Sequence, residues 1–531
     1  MSFRFALVAL AALLATVAAE AQTPRAACLN GVATLADVGA FPCDRVDLVG
    51  YLSVGSISTP GSPAANGNND IWGWTDPQTG VEYALVGSYN GLGIVDLSDP
   101  AFPRLVGKIP TANELNPVWR DVKVYADHAF IVADASRDHG VQIFDLTRLR
   151  SLSGDAVTLA PDAVYTGIRS AHNIVINEDS GFAYAVGFRY PDGGRAALGL
   201  PASCDLPGFH AIDIRDPKNP TFAGCFSDAA LETGPRSRGY THDAQCVMYS
   251  GPDTEHAGKE LCFAANEDVV TVFDVSDKED VRILSQASYP NFSYTHQGWL
   301  TADQRYFLTD DELDEINGLT PSQRSLVIDF QDLDDPEFAF AYTSGLTTID
   351  HNQYVRGDYA YQSNYESGLR IVDLRQIEAG QLTEAAFFDT YPNGNVISFN
   401  GQWSNYPYFE SGLVIANDDT YGLFVLRPDP ALLVANDEQP DLSQGYALTA
   451  PRPNPAAGVA RLSLSVDTAQ SVVAGLYDVA GRLVADLYDG PVAASGPLTL
   501  TVDAASVPAG VYIVRVVGER FEVSRRVVLT R

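Results

Sequence analysis

Four of the eight histidines fall into register with one another. His172, His242, His296 and His351 each open a short motif: HNIVIN (172–177), HDAQCV (242–247), HQGWLT (296–301) and HNQYVR (351–356). Three more segments align with these: NDIWGW (69–74), RDVKVY (120–125) and GQWSNY (401–406), which place Asn69, Arg120 and Gly401 in the histidine column. Neutral imidazole is the commonest protein ligand for borderline metals, and three or four of them suit Fe, Cu, Mn or Zn rather than Ca. Polar segments follow in register: Asp134, Asn266-Glu267, Asp310-Asp311-Glu312, Asn364 with Glu366, and Asn417-Asp418-Asp419. If each motif begins the innermost strand of a sheet, the imidazoles line one mouth of a central channel. The polar segments then sit in loops on the same face, where a carboxylate can bond the second ring nitrogen. The candidate metal ligands are therefore His172, His242, His296 and His351, for a divalent or transition metal. Asn69, Arg120, Asp121, Asp243, Glu267, Asp310, Glu312, Glu366 and Asp418 are expected around them as supporting or channel-mouth groups. An opposing reading makes the same column a repeated hydrogen-bonding device, tying each inner strand to the next sheet.

The elements that must position these residues are repeats. A strand ending in Asp recurs as GLGIVDLSDP (91–100), GVQIFDLTRL (140–149), GFHAIDIRDP (208–217), DVVTVFDVSD (268–277), RSLVIDFQDL (324–333) and GLRIVDLRQI (368–377). A seventh copy, GLFVLRPDP (422–430), lacks the Asp. Apolar β-branched runs bounded by Gly, Asp and Pro are strand chemistry. The Asp of each core (Asp96, Asp145, Asp213, Asp274, Asp329, Asp373) stands where a strand enters a turn, and reads as an acceptor for backbone N–H groups. Successive motif positions Asp70, Asp121, Asn173, Asp243, Gln297, Asn352 and Gln402 are 51, 52, 70, 54, 55 and 50 residues apart. Seven strand-rich units of this length predict a seven-bladed β-propeller over residues 22–430. The long third unit implies an insertion from about Arg189 to Pro207. The seventh unit runs out near Pro430 without an outer strand. Residues 45–53, RVDLVGYLS, fit that role and would close the ring, removing the free edges.

The composition narrows the partners. The chain has 531 residues, with 34 Lys+Arg against 67 Asp+Glu and a net charge of −33. Such a surface argues against nucleic acid and anionic membranes as partners. Met1 to Ala21 has Arg4, an apolar run and Ala19-Glu20-Ala21, the pattern of a cleaved signal peptide. No later stretch approaches about 18 apolar residues, so no transmembrane segment is expected in the mature chain. Six cysteines fall in close pairs, Cys28/Cys43, Cys204/Cys225 and Cys246/Cys262. Nearest-neighbour disulfides are the simplest of the possible pairings and agree with export. The acidic run DDELDE (310–315) lacks the spacing of an EF-hand and is expected to be a solvated loop. His128, His139, His210 and His256 fall outside the column and carry no assigned role. G-x-S-x-G, P-loop and H-E-x-x-H motifs are absent from the sequence.

The IVDLSDP core resembles the LVIVD-repeat propellers, and the chain over residues 45–430 resembles the choice-of-anchor B family. That resemblance implies architecture and a surface location, not a reaction. After a polar linker (431–447), residues 448–531 contain RPNPAAG (452–458), LYDVAGRLVADL (476–487) and VPAGVYIVRV (507–516), with alternation that predicts a small Ig-like β-sandwich. These segments resemble the C-terminal sorting domain of the type IX secretion system. The resemblance implies the secretion machinery as a partner, passage through the outer membrane with cleavage of the tail, and a final place outside the cell or on its surface. Three functions remain open: a propeller that binds an unidentified surface or extracellular ligand, which the lack of catalytic motifs favours; a metal-dependent enzyme with a four-histidine centre; and a structural surface component.

Overall fold

In the computed structural model, the described residues are 25–36, 38–57, 67–112, 116–201, 204, 208–226, 240–433, 445–448, 459–478, 482–494, 498–504, 507–508 and 510–529. The expected signal peptide lies outside them, as does most of the linker. The chain divides into two compact units, Met1–Leu433 and Val434–Arg531.

The first unit is all β. Among the described residues it holds seven sheets with the same four-stranded antiparallel core. The innermost strands are Asn68–Thr75, Arg120–Tyr125, Asn173–Asn177, Asp243–Met248, Thr295–Leu300, Gln353–Arg356 and Gln402–Tyr406. In six of the sheets the Asp-terminated repeat is the third strand, as in Gly91–Asp96 and Leu369–Asp373. In all six, that Asp accepts the N–H two residues on: Asp96 from Ser98, Asp145 from Thr147, Asp213 from Arg215, Asp274 from Ser276, Asp329 from Gln331 and Asp373 from Arg375. Asp is thus repeated because its carboxylate stands in for a backbone acceptor and turns the chain toward the outer strand.

What holds the sheets together is apolar burial between neighbours. Leu85 and Ile94 of the first sheet pack with Val122 and Ile131 of the second. Equivalent clusters join the second to the third, the third to the fourth, and so on to the seventh. A last cluster joins Ile71 and Val86 of the first sheet to Ile415 and Val425 of the seventh, which makes the assembly a ring. The second and third strands of each sheet are buried on both faces, so a strand such as Glu82–Ser88 carries an unbroken stretch without charge from Tyr83 to Gly87.

The ring closes as the sequence implies. Val46–Ser53 pairs antiparallel with Gly422–Pro428 as the outer strand of the seventh sheet, with Val46 opposite Pro428 and Ser53 opposite Gly422. Leu48 and Val49 bury into the clusters on either side of that sheet. Just upstream, Gly39–Asp44 pairs with Thr383–Phe388 at the edge of the sixth sheet, and Val32–Leu35 adds beyond it. Three disulfides are present, Cys28–Cys43, Cys204–Cys225 and Cys246–Cys262. Cys204–Cys225 fastens the insertion of the third unit to its outer strand Thr221–Phe226.

The second unit is a two-sheet sandwich. Tyr446–Leu448, Val459–Val466 and Leu498–Asp503 form one sheet; Leu483–Val492, Gln470–Asp478, Gly510–Gly518 and Glu522–Leu529 form the other. Leu462, Leu464 and Leu500 from the first pack against Leu476, Val514 and Val516 from the second. Among the described residues no helix is long and apolar enough to cross a membrane.

Candidate functional site

The four column histidines come together as an arc at one mouth of the channel. Each stands at or just before the start of an inner strand, and neighbouring imidazole centroids are 4.4 Å apart from His172 to His242, to His296, to His351. The column is therefore on the channel and shares a recess with Trp119, Arg120 and Trp403.

The Nδ1 atoms all face protein acceptors. His242 Nδ1 meets the His296 carbonyl at 2.8 Å and His351 Nδ1 the Trp403 carbonyl at 2.5 Å. A carbonyl can only accept, so these rings carry the proton on Nδ1 and the lone pair on Nε2. His172 Nδ1 lies 3.2 Å from Asp134 Oδ2, and His296 Nδ1 lies 2.9 Å from Asp310 Oδ2. Burial pushes His242 and His351 well below the usual imidazole range and His296 down to about 4, so these rings are neutral at pH 7. The arrangement answers both readings of the column. Nδ1 of His242 and of His351 ties adjacent sheets, while Nε2 is the nitrogen left for a ligand.

Glu312 joins them from the loop after Tyr306–Asp311. Its Oε1 lies 3.7 Å from His351 Nε2 and accepts from the Tyr365 hydroxyl at 2.7 Å. Donor atoms of His296, Glu312 and His351 all lie within 4.8 Å of one another. Two imidazoles and one carboxylate is the donor set of sites with open coordination positions, typically for Fe(II) and its neighbours in the transition series. His242 and His172 continue the arc beyond this group.

Other expected site residues go elsewhere. The Asp121 side chain accepts the Ile174 N–H at 2.8 Å, and the Asn173 amide donates to the His242 carbonyl at 3.2 Å. Gln297 exchanges two bonds with the Gln353 backbone. At Asp121, Asn173 and Gln297 the position after the histidine column therefore stitches sheet to sheet, whereas Asp243 accepts the adjacent Ala244 N–H. Asn69 donates to the Val118 carbonyl. Arg120 is committed to the Ser88 carbonyl, Thr111 Oγ1 and His139 Nε2. Glu366 accepts the Val396 N–H and the Ser398 hydroxyl, and Asp418 accepts from Thr390 Oγ1 and the Tyr421 N–H. Both are loop and inter-sheet anchors. Glu267 bonds across to Thr295 through its backbone.

The run 310–315 is not a solvated loop. Asp310 and Asp311 end a strand, and they are buried with Asp314 and Glu315. Asp311 accepts from the Tyr289 hydroxyl and from the Ser293 and Tyr294 N–H groups; Asp314 pairs with Arg324. Partners scattered over more than thirty residues hold these carboxylates inside, and such spacing is not visible as a local pattern. Of the remaining histidines, His139 and His210 are buried and hydrogen-bonded to Arg120 and to the Tyr165 hydroxyl.

A second polar layer lies below the mouth. Lys123 Nζ is 2.5 Å from Asp121 Oδ1, with Asp70 and Asp243 beside it. Burial lifts the Asp70 and Asp243 carboxyls to about 7, and Lys123 offsets part of the rise. Beneath that layer, Trp72, Trp299 and Tyr354 pack edge to face, with Trp299–Tyr354 centroids at 5.0 Å. These rings were already in the aligned motifs, three residues after the histidine column. What identified them was missing: the column holds a different residue type in almost every repeat.

Sequence comparison agrees with this architecture. Residues 82–111 match the LVIVD repeat and residues 452–530 match the secretion system C-terminal sorting domain. The chain thus carries an LVIVD repeat within its ring of sheets and a secretion-system sorting domain after it. It is exported to the cell surface or the extracellular space, with the sorting domain as its address to the secretion machinery. No curated protein sequence matches it. Solved structures similar to it include the extracellular domain of a protein from B. thetaiotaomicron described as a one-component system (12% identity, TM-score 0.39), which covers 91% of this chain while this chain spans 58% of that one. Others are a protein from Lactobacillus plantarum (14% identity, 82% of this chain and 99% of that one, TM-score 0.40) and a Bacteroides uniformis protein described as a 6-phosphogluconolactonase (11% identity, 67% and 94%, TM-score 0.43). At these TM-scores the architecture rests on the strand pairing itself.

Proposed function

We propose that the protein is a surface or extracellular binding propeller whose histidine-lined mouth holds a divalent transition metal, and that its ligand is captured there. His296 and His351 would supply Nε2 and Glu312 a carboxylate oxygen. The observation that supports this most is the convergence of those three donors within 4.8 Å, with His351 Nδ1 held by the Trp403 carbonyl and His296 Nδ1 bonded to Asp310. Fixed tautomer and ring orientation are what an outer shell provides around a metal. Three ligands leave positions open for a bound partner or, in the enzymatic alternative, for a substrate. The resemblance to choice-of-anchor B proteins is compatible with either.

The test is elemental analysis of the purified exported protein, after reconstitution with Fe(II), Mn(II) or Zn(II), beside His296→Ala/His351→Ala. Near-stoichiometric metal that is lost in the double variant supports the site, and Glu312→Gln should weaken retention. If the wild type takes up no metal under any of the three conditions, the histidines serve only as inter-sheet ties.

A further inference from the structure

The other pocket on the channel has a composition of its own. It leaves a cavity of about 110 Å³ on the far side of the carboxylate–lysine layer from the histidines. Trp72, Trp299 and Tyr354 form its aromatic wall, and Lys123, Asp243, Gln245 and Glu178 its polar one. It has room for one small ring rather than a large ligand, with aromatic faces for contact and a few polar groups for orientation.

Several of those polar groups have spare bonding capacity. Gln245 Oε1 accepts the Leu300 N–H at 2.8 Å, while its amide nitrogen donates to no described residue. Among the described residues the Asp243 carboxylate accepts only the adjacent Ala244 N–H, at 2.8 Å. Glu178 is exposed at the rim. The pocket therefore offers unsatisfied donors and acceptors together, beside tryptophan rings that are only half-buried.

Charge restricts what fits. Lys123 Nζ already lies over the Trp72 ring, 4.8 Å from its centroid, so a cationic ligand seeking that face meets an ammonium group. An anionic ligand meets Asp243 and Glu178, with Asp70 and Asp121 just behind. A wholly apolar ligand would desolvate Lys123, Asp243 and Gln245 without pairing them. What remains is a neutral molecule with a flat C–H face for the rings and hydroxyl groups around its edge. A hydroxyl donates to a carboxylate and accepts from an ammonium or amide N–H, so it serves both kinds of partner. We propose that this pocket binds a neutral saccharide ring, stacked against Trp72 or Trp299 and bonded through its hydroxyls to Asp243, Gln245 and Lys123.

The experiment is calorimetric titration of the full chain, with tryptophan fluorescence alongside. The probes are glucose, galactose, mannose and N-acetylglucosamine, the neutral tetrasaccharides of each, and glucuronate and glucosamine as charged analogues. At least one neutral sugar should saturate, with both charged analogues about tenfold weaker or more. Saturation by monosaccharides identifies a free-sugar site; saturation by tetrasaccharides alone identifies the end of a glycan chain. Trp299→Phe, which keeps a ring, and Gln245→Leu should each weaken binding about tenfold while leaving the thermal unfolding midpoint within a few degrees of wild type. Chelator and His296→Ala/His351→Ala should leave saccharide binding unchanged, which separates this pocket from the metal reading. Failure of every neutral sugar to saturate, or binding of glucuronate or glucosamine as tight as that of the neutral sugars, overturns the proposal.

Discussion

Replacing Lys123 with Met removes the cation that faces Asp70, Asp121 and Asp243 across the channel. The Lys123 side chain is 14% exposed and that of Asp121 1% exposed, so water cannot screen what is left behind. Burial would depress Lys123, yet Asp121, Asp70 and Asp243 outweigh it and hold the ammonium up at about 12. Taking one partner from a buried ion pair costs about 3–5 kcal/mol, because the remaining charge stays desolvated and unpaired. The cost must depend on pH. Asp70 and Asp243 already sit near 7 with the lysine present, and losing Lys123 raises them further. A carboxyl raised in the folded state contributes its full stability below the unfolded value, near 4, and loses it as pH climbs through the folded value. At pH 8 the variant must either ionise these groups inside the protein or hold protons against the solvent. At pH 5.5 they are neutral and the missing ammonium matters less. Urea unfolding followed by tryptophan fluorescence should give a loss of about 3–5 kcal/mol at pH 8 and a smaller one at pH 5.5. An equal loss at the two pH values, or a larger one at pH 5.5, would refute the electrostatic account of this layer.

Asp418 is pushed to about 7 by burial, although Tyr421, Thr390 and Thr420 bond its charged form. By the same sign rule, wild type loses this contribution as pH rises from 4 through 7, so the melting temperature of Asp418→Asn relative to wild type should climb between pH 5 and pH 8; a fall would contradict the assignment. The disulfide Cys246–Cys262 joins directly paired residues of adjacent strands across a separation of 16 residues, and replacing both by Ser should cost about 3 kcal/mol, read from the shift in urea midpoint. Leu48→Ala empties a fully buried position in the closing strand and should cost about 2–5 kcal/mol; a shift within error would mean the N-terminal strand is dispensable for the ring.

The parts of this fold that the sequence declares are those every repeat must solve in the same way. The turn Asp recurs in six third strands because each of those sheets turns its chain toward the outer strand in the same way, and the side chains after the histidine column tie several sheets to their neighbours. The closing strand is legible for a related reason, since the seventh unit lacks a strand that the others have. The sites themselves are where the repeats differ, and periodicity is silent about differences. Glu312 reads as one carboxylate among several, but only its loop brings it to His351. The aromatic pocket draws Trp72, Trp299 and Tyr354 from three sheets out of seven. The run 310–315 misleads because charge density in sequence suggests solvent, whereas Arg324 meets it from the next strand and the Tyr289 hydroxyl from the loop before it.

The closing strand has a consequence for biogenesis. Val46–Ser53 is among the first of the propeller's strands to leave the ribosome, and its partner Gly422–Pro428 is the last, more than 360 residues later. Until that partner arrives, both ends of the forming arc expose strand edges of the kind that recruit other chains. Pairing the first strand with the last works as a checksum on the polypeptide: a molecule broken off anywhere inside the repeats keeps two adhesive ends, and only a chain translated through its seventh unit can hide them. For a protein sent out of the cell by a sorting domain that follows the propeller, the chain that has closed its ring is also the chain that goes on to carry the address.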